Sequence, residues 1–135
     1  MVRGQHTRVV LPNEARAYHA VAVEFLHAAR ESLGASNYHA AVSNAVHAGI
    51  AAANAIAAIL TGAIWRGAHD QAARYLEQAG TEGRQGSSHL RRLLPLKNQA
   101  EYDPAPMPKG KAEGALRAAE RLITIAGKLI ATENP

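Results

Sequence analysis

The stretch YHAAVSNAVHAGIAAANAIAAILTG, Tyr38 to Gly62, decides the fold class. Along it Val42, Val46, Ile50, Ala53, Ile56 and Leu60 recur three or four residues apart, which lines them up on one face of a helix. It shows none of the two-residue alternation of a half-buried strand. Ser36 reads as the N-cap and Gly62 as the stop. Gly49, Ala53 and Ala57 are four apart and form a strip of small residues that lets another backbone approach closely. That strip suits core packing within one chain and a homodimer seam equally well. The weakly polar run Ala48–Trp65 is mostly alanine and is interrupted by Asn54 and Gly62, so it reads as a core helix rather than a membrane span.

Working outward, the same periodicity dominates. Upstream, a helix is expected from Asn13, a good N-cap, to Leu33, stopping at Gly34. Its stripe is Ala15, Tyr18, Ala22, Phe25, Leu26, Ala29 and Leu33. Only TRVVL, Thr7 to Leu11, alternates, and residues 1–12 are expected to be a poorly ordered N-terminal segment. Downstream, a short helix is predicted over about Ala68–Ala79, then a glycine-rich loop GTEGRQG, then a helix capped by Ser87 or Ser88. Pro95 must kink or restart that helix, because proline removes a backbone donor and crowds the preceding turn. DPAPMP, Asp103 to Pro108, is a clear break. The last helix starts near Pro108 or Lys109 and runs to about Ala131, with Leu116, Ala119, Leu122, Ile123, Ala126, Leu129 and Ile130 inside and a Glu113–Arg117 pair outside. The expected architecture is all-α, a four- or five-helix up-and-down bundle, with residues 1–135 as a single domain.

A chain of 135 residues can bury a core of its own without staples. Cysteine is absent, which excludes disulfides, a thiolate nucleophile and cysteine-based zinc sites and fits a cytoplasmic setting. MVRGQHTRVVLP lacks the apolar core of a secretory signal, and no membrane association is expected. The net charge of +4, with seven histidines, permits attraction to polyanions and equally serves as a solubilising surface.

Little in the chain reads as reaction chemistry. No two histidines stand at i, i+4, and the pairs His19/His27 and His39/His47 are eight apart, too far to chelate one ion directly, so no metal is expected. GTEGRQG lacks the lysine–serine ending of a P-loop, no nucleophile elbow surrounds any serine, and no cofactor is expected. Arg84, Arg91, Arg92, Lys97, Lys109 and Lys111 are the candidate nucleic-acid-binding residues, with Tyr102 alone available for stacking. Glu82, Glu101 and Asp103 are interleaved with them, so the same residues also read as a solvated face.

In their order, these segments resemble the HEPN family of small helical bundles over about Phe25 to Ile130. The Tyr38–Gly62 stretch is similar to that family's second helix, and AHDQAARYL to its third. LLPLKNQAEYDP resembles its arginine-x-x-alanine-aspartate-tyrosine segment, and EGALRAAERLITIAGKLI its closing helix. The resemblance implies a homodimeric bundle connected with RNA, nucleotides or toxin–antitoxin pairs, including nucleotidyltransferase-type partners. Active members cut RNA without metal, using an arginine and a histidine four to six residues later, two copies meeting in the dimer cleft.

This chain departs from that pattern. Lys97 stands at the arginine position and Tyr102 at the histidine position; lysine lacks the bidentate fork, and a phenol with a pKa of about 10 moves protons poorly at neutral pH. Asn44 would be the polar partner of the motif arginine. Tyr102 is expected to pack its ring and bond its hydroxyl, and Asp103–Pro104 to end the helix. RQGSSH, Arg84 to His89, matches the arginine–histidine spacing one helix too early. The reading is a non-catalytic binding module for RNA, a nucleotide or a toxin–antitoxin partner. The alternatives are a metal-independent endoribonuclease, using Arg84 and His89 or Lys97 with a histidine from across the dimer, and a scaffolding dimer.

Overall fold

The computed structural model describes residues 6–133. Strand β1 (Thr7–Val9) leads into α1 (Glu14–Gly34) and α2 (Tyr38–Thr61). Strand β2 (Ala63–Trp65) follows, then α3 (His69–Glu77), α4 (Thr81–Leu93), α5 (Leu96–Tyr102) and α6 (Lys109–Glu133). At Pro95 the chain divides: α5 begins as a separate seven-residue helix, and the Lys97 N–H reaches back to the Leu94 carbonyl at 3.2 Å. Taking α4 and α5 as one interrupted helix, the described chain is the five-helix all-α bundle expected, with a two-strand ribbon added.

Helix α2 is the axis, packed by α1, α6, α4 and α5. It buries more than one stripe. Val42, Val46 and Ile56 are inside as predicted, and so are Ala41, Ala45, Ala48, Ala52 and Ala55 on its other sides. Alanine lets the neighbours come close, while Ala40, Ser43, Asn44, His47 and Asn54 leave one side of the helix exposed or half-buried. It is the one described helix long and apolar enough to cross a membrane, and its apolar surface is spent on this core. The small-residue strip packs within the chain: Gly49 faces Leu93 and Leu122, while Ala53 and Ala57 are buried. The homodimer-seam reading of that strip is therefore corrected.

The outer helices follow their predicted stripes. Ala15, Ala22, Leu26 and Ala29 of α1 are buried, as are Leu116, Ala119, Leu122 and Ala126 of α6. Four local expectations change. Ser36 does not cap α2; it takes the left-handed conformation (φ 61°), and Asn37 occupies the N-cap. Glu113 and Arg117 form no ion pair among the described residues. GTEGRQG is not a loop but the first half of α4. Gly83 and Gly86 are buried there, because α3 runs so close that a side chain at 83 would meet the Leu76 carbonyl oxygen. Ser87, proposed as a cap, is buried in mid-helix and donates to the Ala73 carbonyl at 2.8 Å, tying α4 to α3.

The N-terminal segment is ordered from the ribbon onward, against expectation; residues 1–5 lie outside the described residues. TRV pairs antiparallel with AIW (Thr7 with Trp65, Arg8 with Ile64, Val9 with Ala63), and the Val10 N–H donates to the Gly62 carbonyl at 3.0 Å. Gly62, at φ 73°, makes the left-handed turn that a residue with a Cβ adopts only with strain, and so starts β2 back along the bundle. Asn13 provides no side-chain cap to α1. Instead Glu14 accepts from the Leu11 N–H at 2.6 Å and from the Arg8 guanidinium at 3.3 Å, while Arg8 also donates to the Tyr18 hydroxyl.

The Leu11 hydrogen bond, aided by Arg8, holds the Glu14 carboxyl below its ordinary pKa against the opposing effect of desolvation. A depressed folded-state pKa stabilises fully above the unfolded value of about 4.3 and loses that stabilisation as pH falls through the lower folded value. Acidification below about pH 4 is accordingly expected to lower the protection factor of the Leu11 amide, its rate relative to the unfolded chain at the same pH, ahead of the amides of α1. Glu14→Gln should do the same at neutral pH. Unchanged Leu11 protection in both conditions would refute this anchoring role.

Candidate functional site

The family-type segment lies on α5, which seats Ala100 against α2. His39, on the first turn of α2, spans it: Nδ1 is 3.1 Å from the Ala100 carbonyl oxygen and Nε2 2.8 Å from that of Ala105. Asp103 ends α5 as expected and accepts from the Ala105 N–H at 2.9 Å.

Lys97 Nζ is 3.6 Å from Glu101 Oε2, and Glu101 Oε1 is 3.4 Å from His47 Nε2. The His47 ring lies against Phe25, with centroids 5.3 Å apart. The lysine at the motif's first position is thus engaged by an acid on its own helix. Tyr102 is 75% exposed, which corrects the expectation of a packed ring and a partnered hydroxyl. Five residues on a helix turn through about 140° beyond one full revolution, so Tyr102 points away from the face that carries Lys97. The tyrosine that does bury its ring is Tyr75, whose hydroxyl is 2.8 Å from Thr61 Oγ1. Asn44 is half-buried on α2, three residues before His47, and makes no hydrogen bond with Lys97.

The six candidate basic residues divide. Arg91 pairs with Glu77 at 2.7 Å, and that bond holds the Glu77 carboxyl below its ordinary pKa. Arg91 and Lys97 share a cleft of about 450 Å³ with His69, Asp70 and Asn98. Lys111 reaches Gln99 Oε1 at 3.4 Å, and Lys109 stands exposed at the start of α6. Arg84 is exposed and donates to Thr81 Oγ1 at 3.2 Å. Arg92 lies near enough to His89 to act on its charge. Arg84 and His89 are also five apart on one helix, so the early arginine–histidine pair does not converge within one chain.

His89 instead belongs to a second, larger cleft of about 640 Å³ between α4 and α6. Arg117, Arg121, Thr124 and Lys128 line it at i, i+4, i+7 and i+11 along one face of α6, with Gln85 and His89 opposite. The acid in its lining, Glu120, is committed to Arg30 of α1 at 2.8 Å. Among the described residues Arg92, Arg117, Arg121 and Lys128 take part in no ion pair. His89 Nδ1 is buried without a hydrogen-bond partner, and burial, then Arg92 and Arg121, push its pKa below the ordinary histidine value. Sequence reasoning missed Arg117, Arg121 and Lys128. Their shared face was readable from the spacing, but only the packing of α6 against α4 sets Gln85 and His89 beside them.

These features define an all-α bundle with an electropositive cleft and without the arginine–histidine pair at the motif position. The HEPN domain family model matches residues 15–129 of the 135, and the chain belongs to that family. No curated protein matches it.

Proposed function

We propose that the protein is a non-catalytic HEPN module that binds the phosphates of RNA or of a nucleotide, acting as a cytoplasmic homodimer. The observation that carries this reading is the α4–α6 cleft, where Arg117, Arg121 and Lys128 stand together with no acid partner among the described residues. Unpaired cations around a concavity attract phosphate and release its counterions on binding. The motif helix supports the non-catalytic half of the reading, since Lys97 is engaged by Glu101 and Tyr102 points into solvent. A toxin–antitoxin component, such as a nucleotidyltransferase-type protein, would be the partner of such a dimer.

The test uses a labelled single-stranded RNA of about 12 nucleotides in EDTA, read both by fluorescence anisotropy and by gel. Three phosphate contacts at about 0.7 counterions each give roughly a 20-fold loss of affinity between about 50 and 200 mM salt. The RNA is expected to remain intact. Binding that is absent, or indifferent to salt, sinks the reading. Cleavage that is lost in His89→Ala would make the protein a ribonuclease instead.

A further inference from the structure

The cleft between α4 and α6 permits a sharper statement about its ligand, one that rests on the binding reading above. On α6 the cations Arg117 and Arg121 are one helical turn apart, a rise of about 6 Å, and Lys128 lies about 10 Å further along. All three side chains are exposed, so they reach a ligand without rearranging the core. No aromatic residue other than His89 lines the cleft, which leaves no stacking platform for a base.

The opposite wall supplies a donor. His89 Nδ1 is sealed from solvent and unpartnered, whereas Nε2 is not among the buried unpaired atoms. A proton on Nδ1 would be a buried N–H with nothing to bond; on Nε2 it can be donated outward. The neutral ring therefore offers Nε2–H to the cleft. The charged groups around it are Arg92 on α4; Arg117, Glu120, Arg121 and Lys128 on α6; and Arg30 of α1, which neutralises Glu120. From α2, Gly49 packs against Leu93 and Leu122 and Ile56 against Gly86, and neither carries charge. On α3, Glu77 is held by Arg91, around the helix from His89.

We propose that this cleft is a phosphate subsite: Arg117, Arg121 and Lys128 grip consecutive phosphates, His89 donates Nε2–H to one of them, and the bases are left unread. The shared chemistry is a phosphate chain, whether in a single RNA strand or in a nucleoside triphosphate.

The experiment is calorimetric titration with three probes: inorganic tripolyphosphate, ATP and the single-stranded RNA. Tripolyphosphate and ATP are expected to bind alike, because the base adds nothing. RNA tighter than both supports a strand as the source of the phosphates, and RNA equal to both supports a nucleotide. Arg117→Gln with Arg121→Gln should weaken all three probes about tenfold or more. Its thermal melt should be unchanged, since both side chains are exposed. Arg91→Gln with Lys97→Gln should leave affinity within about twofold, as those cations lie in the other cleft. His89→Gln, which keeps a donor, should retain most of the binding, and His89→Ala should lose about as much affinity as one hydrogen bond to a phosphate gives. Tripolyphosphate that fails to bind, or binds the Arg117/Arg121 variant as tightly as wild type, overturns the proposal. RNA binding lost only in the Arg91/Lys97 variant keeps the binding function and moves it elsewhere. Tripolyphosphate bound here while RNA and ATP are both ignored keeps the phosphate subsite and overturns the RNA or nucleotide function.

Discussion

Gly83→Ala should lower the melting temperature by about 10 °C, although alanine is the better helix former by about 1 kcal/mol. A Cβ at this position would meet the Leu76 carbonyl oxygen and would lie 2.9 Å from the Ala79 Cβ. A backbone carbonyl cannot turn aside as a leucine methyl can, so α3 and α4 would have to part. Overpacking of this kind costs about 1–3 kcal/mol and sometimes more, and each kcal/mol moves the midpoint of a domain this size by roughly 3–5 °C. The sign of the result is informative. In a solvent-exposed loop the same change would be neutral or stabilising. Gly110→Ala is the control: nothing lies within 4 Å of its Cβ position, and its melt should hold or rise slightly. A Gly83→Ala melt at or above wild type would mean that α3 and α4 do not approach this closely.

Leu122→Ala should cost about 2–5 kcal/mol in urea unfolding, with the m-value unchanged. Leu122 is fully buried where α2, α4 and α6 meet. Its methyl carbons lie 3.3 Å from the Cβ position of Gly49 and 3.4 Å from that of Gly86. Those two neighbours are glycines with no side chain to move, so filling the space is left to Leu93, Ile56 and Leu76, which are already packed against them. Domains of this kind have only about 5–15 kcal/mol in all, so the variant stands near the limit of folding at physiological temperature. A loss below about 1 kcal/mol would show that the three helices can close over the gap.

These two sites also show where reading the chain stopped. Leu122 was legible, because a leucine on a strong apolar stripe near the middle of a long helix points to the core with no other information. Gly83 was not. A run of three glycines in seven residues carries the local signature of a loop, and only the neighbouring helix explains why those positions had to lose their side chains. Ser87 was misread for the same reason: serine near a supposed helix start suggests a cap, and its actual acceptor is on another helix. The ribbon went half-seen, since the five residues of TRVVL are too few to outweigh the helical pattern until a partner strand lies alongside.

The candidate site divides in the same way. The motif segment was found where expected, and its altered residues were plain: Lys97 and Tyr102 are chemical identities that any fold preserves. The direction in which Tyr102 points, the Glu101 partner of Lys97 and the separation of Arg91 from Arg92 are matters of helix phase and of the acids that neighbouring elements bring. The sequence by itself determined the helical class, the apolar stripes, the family-like segment and its missing arginine and histidine, because these follow from local periodicity and side-chain chemistry. Tertiary structure alone decided that α4 absorbs the glycine run, that the small-residue strip faces inward, and that His89 meets the cations of α6. Each of those depends on contact between elements distant in the chain, whose distances and shared burial no local pattern encodes.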